Sequence, residues 1–173
     1  VSNALFSDTT RFVSYNLLNF EDENNRVADF ISIIESIEPD IIIAQEVVSP
    51  TGFQNFLSDI LDVYEPGQWQ GATFTNQTAS QDIALYYRQS VFTFISTSVV
   101  NTAQSSGTRN VIEWVMQHKR SESYFNVYGA HFKASSGQSN AQQRLQEATI
   151  LRNHLNNIEN DFFILAADLN IYS

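Results

Sequence analysis

Cysteine is missing from all 173 residues, so no disulfide staples the fold and the redox compartment leaves no mark on it. Histidine occurs three times and never in a cluster with zinc-ligand spacing, which argues against a zinc site. Glycine (6) and proline (3) are scarce, and no repeat, low-complexity tract or linker divides the chain. There is no glycine-rich phosphate loop and no Gly-x-Ser-x-Gly elbow, so two common routes to phosphate binding and acyl transfer are closed. No apolar run approaches the roughly 20 residues needed to span a bilayer. Positive charge is also short: 9 Lys and Arg stand against 19 Asp and Glu, a net charge of −10. That balance disfavours loose attraction to DNA or to an anionic membrane. It still permits a polyanionic substrate where a divalent cation screens a local acidic site.

What is present reads as one globular domain over residues 1–173, with 43% hydrophobic and 16% charged residues. The chain opens at Val1 without a signal peptide, as a processed or cut product would, and Ser2 to Ala4 reads as an expression scar. Richness in Asn, Ser, Thr and Gln hints at an exported bacterial protein, secreted or periplasmic.

Periodicity predicts a first strand over Arg11 to Leu18 and a helix over Asn24 to Ile37, with Val27, Phe30, Ile31, Ile34 and Ile37 at helical spacing. Pro39 ends that helix. Asp40 to Gln45 is a continuous apolar run, expected as a strand buried on both faces, and Gly52 to Leu61 as a short helix. Four strands follow, over Asp82 to Arg88, Val91 to Val100, Asn110 to His118 and Ser123 to Phe132. A long helix is expected over Ser139 to Ile158, with Leu145, Ala148, Leu151, Leu155 and Ile158 on one face. A final strand leaves Asp161 and delivers Asp168 and Asn170 to its carboxyl end. Strand–helix–strand units at both ends with hairpins between predict an α/β (α+β) fold, built as a mixed sheet or two packed sheets flanked by helices.

Polar residues stand at the exits of four apolar strands: Asn16, Gln45-Glu46, His131, and Asp168 with Asn170. Four such exits suggest one convergent site. Asp168 and Asn170, two apart, would share one side of a continued strand; the bland alternative is an Asx-type turn closing the strand. Glu46, leaving a fully apolar strand, is costly unless paired or metal-bound. If the exits converge, Glu46 is a hard oxygen ligand for Mg²⁺ or Mn²⁺. Asn16 and Asn170 donate to phosphate oxygens, Asp168 orients or deprotonates water, and His131 donates to a non-bridging oxygen or protonates the leaving group. His118 and His154 receive no role, and Glu21 to Glu23 reads as a solvated loop or helix start.

The ordered set Tyr15-Asn16-Leu17-Leu18-Asn19-Phe20, Pro39-Asp40 to Gln45-Glu46, Asp82 to Arg88, Gly129-Ala130-His131-Phe132-Lys133-Ala134, Arg144 and Ala167-Asp168-Leu169-Asn170 resembles the endonuclease/exonuclease/phosphatase superfamily, in its pancreatic-deoxyribonuclease-like form. The resemblance covers essentially the whole chain. It implies a two-sheet β-sandwich with helices outside and metal-dependent phosphoester hydrolysis. It assigns Glu46 to the metal, Asn16 to phosphate or metal-bound water, Asp168 to the nucleophile and Asn170 to the phosphate. It places His131, Lys133 and Arg144 in the branch with histidine at this position, and makes Asp82 or Gln81 the orienter of His131. Ala167 stands where glycine is usual. The family's closing Asp-His pair is not found before Ser173, so the resemblance implies a domain incomplete at its C-terminal side, inactive or nearly so by itself.

The expected partner is a phosphoester: nucleic acid, a phospholipid headgroup or a small phosphate ester. Exposed edges of incomplete sheets would favour self-association. Two alternatives stand beside this reading: a non-catalytic binding module that keeps the fold, and a glycoside hydrolase using Asp168 and Glu46 as its carboxylate pair.

Overall fold

A computed structural model describes residues 9–22, 25–77, 80–105, 107–158 and 162–172. Ser2 to Ala4, Glu23, the helix start at Asn24 and the strand start at Asp161 lie outside the described residues. The elements in order are β1 (Phe12–Phe20), α1 (Val27–Ile37), β2 (Ile41–Val47), α2 (Pro50–Asn55), a π-helical turn (Phe56–Leu61), α3 (Asp62–Tyr64), β3 (Trp69–Gly71), β4 (Asp82–Arg88), β5 (Phe92–Val100), β6 (Val111–His118), β7 (Tyr124–His131), α4 (Gln138–Leu155) and β8 (Phe163–Asp168).

The strands form two four-stranded sheets, ordered β1-β2-β4-β3 and β5-β6-β7-β8. β1 and β2 run parallel with α1 as their crossover, and β7 and β8 run parallel with α4 as theirs. The remaining neighbours are antiparallel. Parallel pairs put both carboxyl ends at one end of the molecule, and antiparallel neighbours bring their amino ends there too. This fixes which residues can meet.

Period-two alternation in β2 explains the layering. Ile41 and Ile43 face the core between the sheets, with Ile83, Leu85, Ile112 and Trp114. Ile42 and Ala44 face the outer layer, where α1 and the α2–α3 segment bring Phe30, Ile34, Phe53, Phe56 and Ile60. All four are at most 1% exposed, as a strand buried on both faces requires. In the outer layer Phe20, Phe30 and Phe56 meet edge to face, centroids 5.3–5.7 Å apart. Each such pair adds about 0.5–1.5 kcal/mol beyond area burial. Between the sheets Gly129 lets β7 approach β4: a Cβ there would stand 2.7 Å from the Trp114 ring and 2.8 Å from Ile83 Cγ2.

Several boundaries differ from the sequence expectation. The short helix grows into a longer segment starting at Pro50, because Ser49 caps it: its Oγ accepts from Thr51 N at 3.1 Å and Gly52 N at 3.2 Å. β3, three residues long, was too short to carry a periodic signal. The long helix ends at Leu155, so Ile158 lies beyond it, and Leu145 is 67% exposed rather than buried. The face turned to the sheet keeps the expected Leu151 and Leu155 and adds Glu147 and His154. Two of these have polar partners below. Glu147 accepts from Lys133 N at 2.9 Å, while His154 Nε2 sits 3.4 Å from Tyr128 Oη and 3.8 Å from Glu113.

Candidate active site

The carboxyl ends of β1, β2, β7 and β8 meet at one end of the sandwich. Asn16 pairs with Gln45 across β1 and β2, and His131 with Asp168 across β7 and β8. Both ladders around Glu46 slip. Asn16 opposes Gln45 while Phe20 opposes Val47, so β1 carries extra residues opposite Glu46; on the other side Gln45 opposes Ile83 while Val47 opposes Asp82. Glu46 is therefore a bulge residue, with φ at +63°. Bulges re-aim a side chain that a regular strand would send to a sheet face. Leu18, Asn19 and Asn170 near it also have positive φ. Such strain costs about 1–3 kcal/mol per residue and persists only where surroundings impose it.

The side chains converge. Asn16 Nδ2 donates to Glu46 Oε1 at 3.0 Å and to Asp168 Oδ2 at 3.1 Å. His131 Nε2 faces the same two oxygens, at 3.9 and 4.0 Å. Glu46 Oε2 accepts from Asn19 N at 3.0 Å and from Gln81 Nε2 at 3.3 Å. One oxygen of Glu46 is thus saturated by local donors, and the other looks into the shared space. His131 is 3% exposed, and its Nδ1 has no hydrogen-bond partner among the described residues. Burial, then the charge of Arg109, push its pKa below the usual histidine value, and Asp168 and Glu46 pull it partly back. That direction favours the uncharged imidazole.

The other expected residues lie close by in different roles. Asn170 does not continue the strand beside Asp168. β8 stops at Asp168, Asn170 adopts φ +48°, and its N–H bonds Asp168 Oδ1 at 3.0 Å. This is the Asx-type turn. Its amide donates to Phe132 O at 3.1 Å and accepts from Tyr172 Oη at 3.1 Å, tying β8 to the loop after His131. Asp82 is fully buried and accepts from Gln77 N at 3.2 Å on each oxygen; it makes no hydrogen bond to His131 among the described residues. Burial raises its pKa to about 6, against the opposing Gln77 N–H and Arg109 charge. Arg144 lies over the Tyr172 ring and donates to Lys133 O and Ser135 O, both at 2.9 Å, so it clamps the β7–α4 loop.

Two contributors escaped the sequence reading in these roles. Gln81 reaches Glu46 and Asn19 rather than His131. Arg109, only 7% exposed, donates to both the backbone O and the side-chain Oε1 of Gln81. It lies among the charges of Glu46, Asp82, Glu147 and Asp168. Both stand at the amino ends of antiparallel strands, a position that a search of strand exits passes over. An open cleft of about 540 Å³ lies at the opposite end of the first sheet, beside Arg11, Asp40 and Arg88, but its charges pair with one another.

No group of three or more His, Cys, Asp and Glu side chains shaped to hold a metal occurs among the described residues. The donor set does fit a hard cation of the Mg²⁺ type, which takes one or two carboxylates and fills its other positions with water and substrate oxygens. Glu46 Oε1 and Asp168 Oδ2 are the oxygens available to it.

A two-sheet α/β sandwich with carboxylates, an amide and a histidine at converging strand ends fits the deoxyribonuclease-like class of phosphoesterase folds. The chain belongs to the Endonuclease/Exonuclease/phosphatase family, whose model matches residues 13–173. Among solved structures it is similar to the mannosyl-6-phosphatase of Bacteroides thetaiotaomicron (TM-score 0.74, 13% identity, 94% of this chain and 66% of that one). It is also similar to a humanized D. rerio TDP2 (0.71, 14%, 92% and 62%). The human Nocturnin catalytic domain with bound sulfate is a third (0.66, 21%, 85% and 57%). At these identities the likeness shows the fold. The chain spans less than two thirds of the length of each of these structures. No curated protein matches its sequence.

Proposed function

We propose that this chain carries the Glu46 side of a Mg²⁺- or Mn²⁺-dependent phosphoester hydrolase, of nuclease or phosphatase type. One observation carries the reading: Glu46 and Asp168, from different sheets, share Asn16 Nδ2 and face His131 Nε2. Two carboxylates held this close to a histidine form a site that gains from a cation and from a substrate able to accept hydrogen bonds. Glu46, with Asp168 beside it, would hold the divalent ion, which would supply charge neutralisation of the phosphoryl oxygens.

The protein groups do the rest. Asn16 sets the spacing of the carboxylates. Asp168 orients or deprotonates the attacking water, with Oδ1 fixed by Asn170 N. His131 Nε2 donates to a non-bridging phosphoryl oxygen. Of the three histidines in the sequence, only His131 stands here; His118 bonds Ser121, and His154 lies against Tyr128. With one histidine here where the resemblance implies a second, the chain by itself is proposed to turn over slowly or not at all. A binding module with lost chemistry would have no use for this costly cluster. The substrate class stays broad: nucleic acid, as in a D. rerio TDP2 complex with a single-strand DNA product, or a sugar phosphate, as the mannosyl-6-phosphatase name states. β8 is the sheet edge, with Phe163 and Leu165 each 41% exposed, which supports self-association along it.

The test is hydrolysis by the whole protein of plasmid DNA, sphingomyelin, inositol phosphates and a sugar phosphate, with and without Mg²⁺. Metal-dependent turnover of one class, lost in Glu46→Gln, is the expected result. Unchanged turnover of Glu46→Gln in saturating Mg²⁺ would remove Glu46 from the site.

A further inference from the structure

We propose that Arg109 is a positioning residue: it fixes the orientation of the Gln81 side-chain amide, and through it aims the Glu46 carboxylate at a divalent cation. The inference rests on the reading that Glu46 binds such a cation.

The geometry runs in one direction. Arg109 grips a single residue at two points, donating from Nε to the Gln81 backbone O and from Nη2 to Gln81 Oε1. With Oε1 held there, Nε2 points the other way, to Asn19 Oδ1 and Glu46 Oε2. The flipped amide would set N–H groups against a guanidinium and an oxygen against a carboxylate. Only one orientation satisfies both ends. Glu46 Oε2, holding Gln81 Nε2 and Asn19 N, is then turned away, and Oε1 is left toward Asp168 and His131. Hydrogen bonds of this kind to a ligating carboxylate orient it, and their loss typically costs 10- to 100-fold in metal affinity.

Arginine is the side chain this task needs. A planar fork meets two acceptors of one residue at fixed angles; a lysine ammonium brings the same charge without the fork. Charge alone would act oppositely, since a cation buried among Glu46, Asp82, Glu147 and Asp168 repels a metal ion. Positioning and charge therefore predict opposite outcomes.

Mn²⁺ binding to the 173-residue chain, followed by the electron paramagnetic resonance signal of free Mn²⁺, separates them. Arg109→Lys and Gln81→Met should each weaken binding about tenfold, with the double variant no weaker than Gln81→Met. Mn²⁺ affinity within twofold of the parent chain in Arg109→Lys, or in Gln81→Met should the lysine variant not fold, overturns the proposal. So does tighter binding in Arg109→Met beside an unchanged Arg109→Lys, the signature of charge alone. A metal-free readout is the NMR signal of the Gln81 side-chain amide, identified by its loss in Gln81→Met. It should move in Arg109→Lys while the Trp114 indole signal stays, and an unmoved amide overturns the proposal. Persistent Mn²⁺ binding in Glu46→Gln would instead defeat the metal reading itself, leaving the amide measurement to decide the orientation.

Discussion

Asn16 and Asp168 are 152 positions apart in the sequence, yet Asn16 Nδ2 lies 3.1 Å from Asp168 Oδ2. The same nitrogen reaches Glu46 at 3.0 Å, so one amide holds two carboxylates that belong to different sheets. Both N–H bonds of that amide are spent on acids. Asn16 is therefore first a spacer between like charges.

Replacing the spacer by a third acid tests this. Asn16→Asp should destabilise the chain by about 2–4 kcal/mol at pH 7. The crowded carboxylates would have raised pKa values, so stability is present at low pH and lost as pH rises through them. Urea unfolding at pH 5 and pH 7 should show the deficit shrinking at the lower pH. A deficit of equal size at both would remove the like-charge explanation.

Asp82 gives a second pH dependence. Its folded pKa of about 6 lies above the ordinary carboxylate value near 4, chiefly because it is buried. The folded state then binds more protons than the unfolded one between about pH 4 and pH 6. This contribution is fully present below that window and lost as pH rises through it, on the order of 2–3 kcal/mol in all. The stability difference between the parent chain and Asp82→Asn should change with pH across the window and be flat above pH 7. A difference constant from pH 4 to pH 7 would contradict the assignment.

Gly129→Ala should cost about 1–3 kcal/mol, because the added methyl meets the Trp114 ring and Ile83 between two sheets that cannot both retreat. A shift in urea midpoint with unchanged slope would report it. Stability equal to the parent's would show that the two sheets give way to a methyl group.

Tyr128→Phe probes the polar cluster under α4. Glu113 accepts from Ser98, Asn126 and Tyr128, each at 2.6 Å. Burial raises its pKa, but these three bonds and the nearby His154 outweigh burial and leave it low. Removing the hydroxyl should raise the Glu113 pKa and cost about 1–3 kcal/mol above pH 5. The stabilisation from a depressed carboxylate is present above its unfolded pKa and lost as pH falls through the folded one. Carbon-detected NMR titration of Glu113 reads the shift directly, and an unmoved titration would exclude the tyrosine as a contributor.

The strands were legible because their burial demands it. The triple isoleucine before Ala44 has no exposed face to lose, β4 is buried from Asp82 to Tyr87, and β5 to β7 set β-branched and aromatic residues among polar ones. Glu46, His131 and Asp168 were legible as costly polar exits from such strands. What escaped depended on pairing direction. Gln81 and Arg109 precede strands, and only the antiparallel partnering of β4 with β2 and of β6 with β7 carries them to the same end. At Asn170 the Asx-type turn, one of two readings, is the one formed, because a two-residue spacing places side chains on one side only while the strand lasts, and Asp168 is its last residue. On α4, counting apolar residues found Leu151 and Leu155, which pack on the sheet, but also took in Leu145, 67% exposed, and passed over Glu147 and His154.

The site straddles the seam between the two sheets, with Glu46 on one side and His131 and Asp168 on the other. A slide of one layer past its neighbour by a single ångström would draw Asp168 and His131 away from the Asn16 amide and Glu46, although each layer stayed intact. On the proposed function, divalent-ion binding at Glu46 would then be a finer gauge of the sandwich's alignment than any spectroscopic measure of secondary structure, vanishing in mild denaturant before the circular dichroism changes.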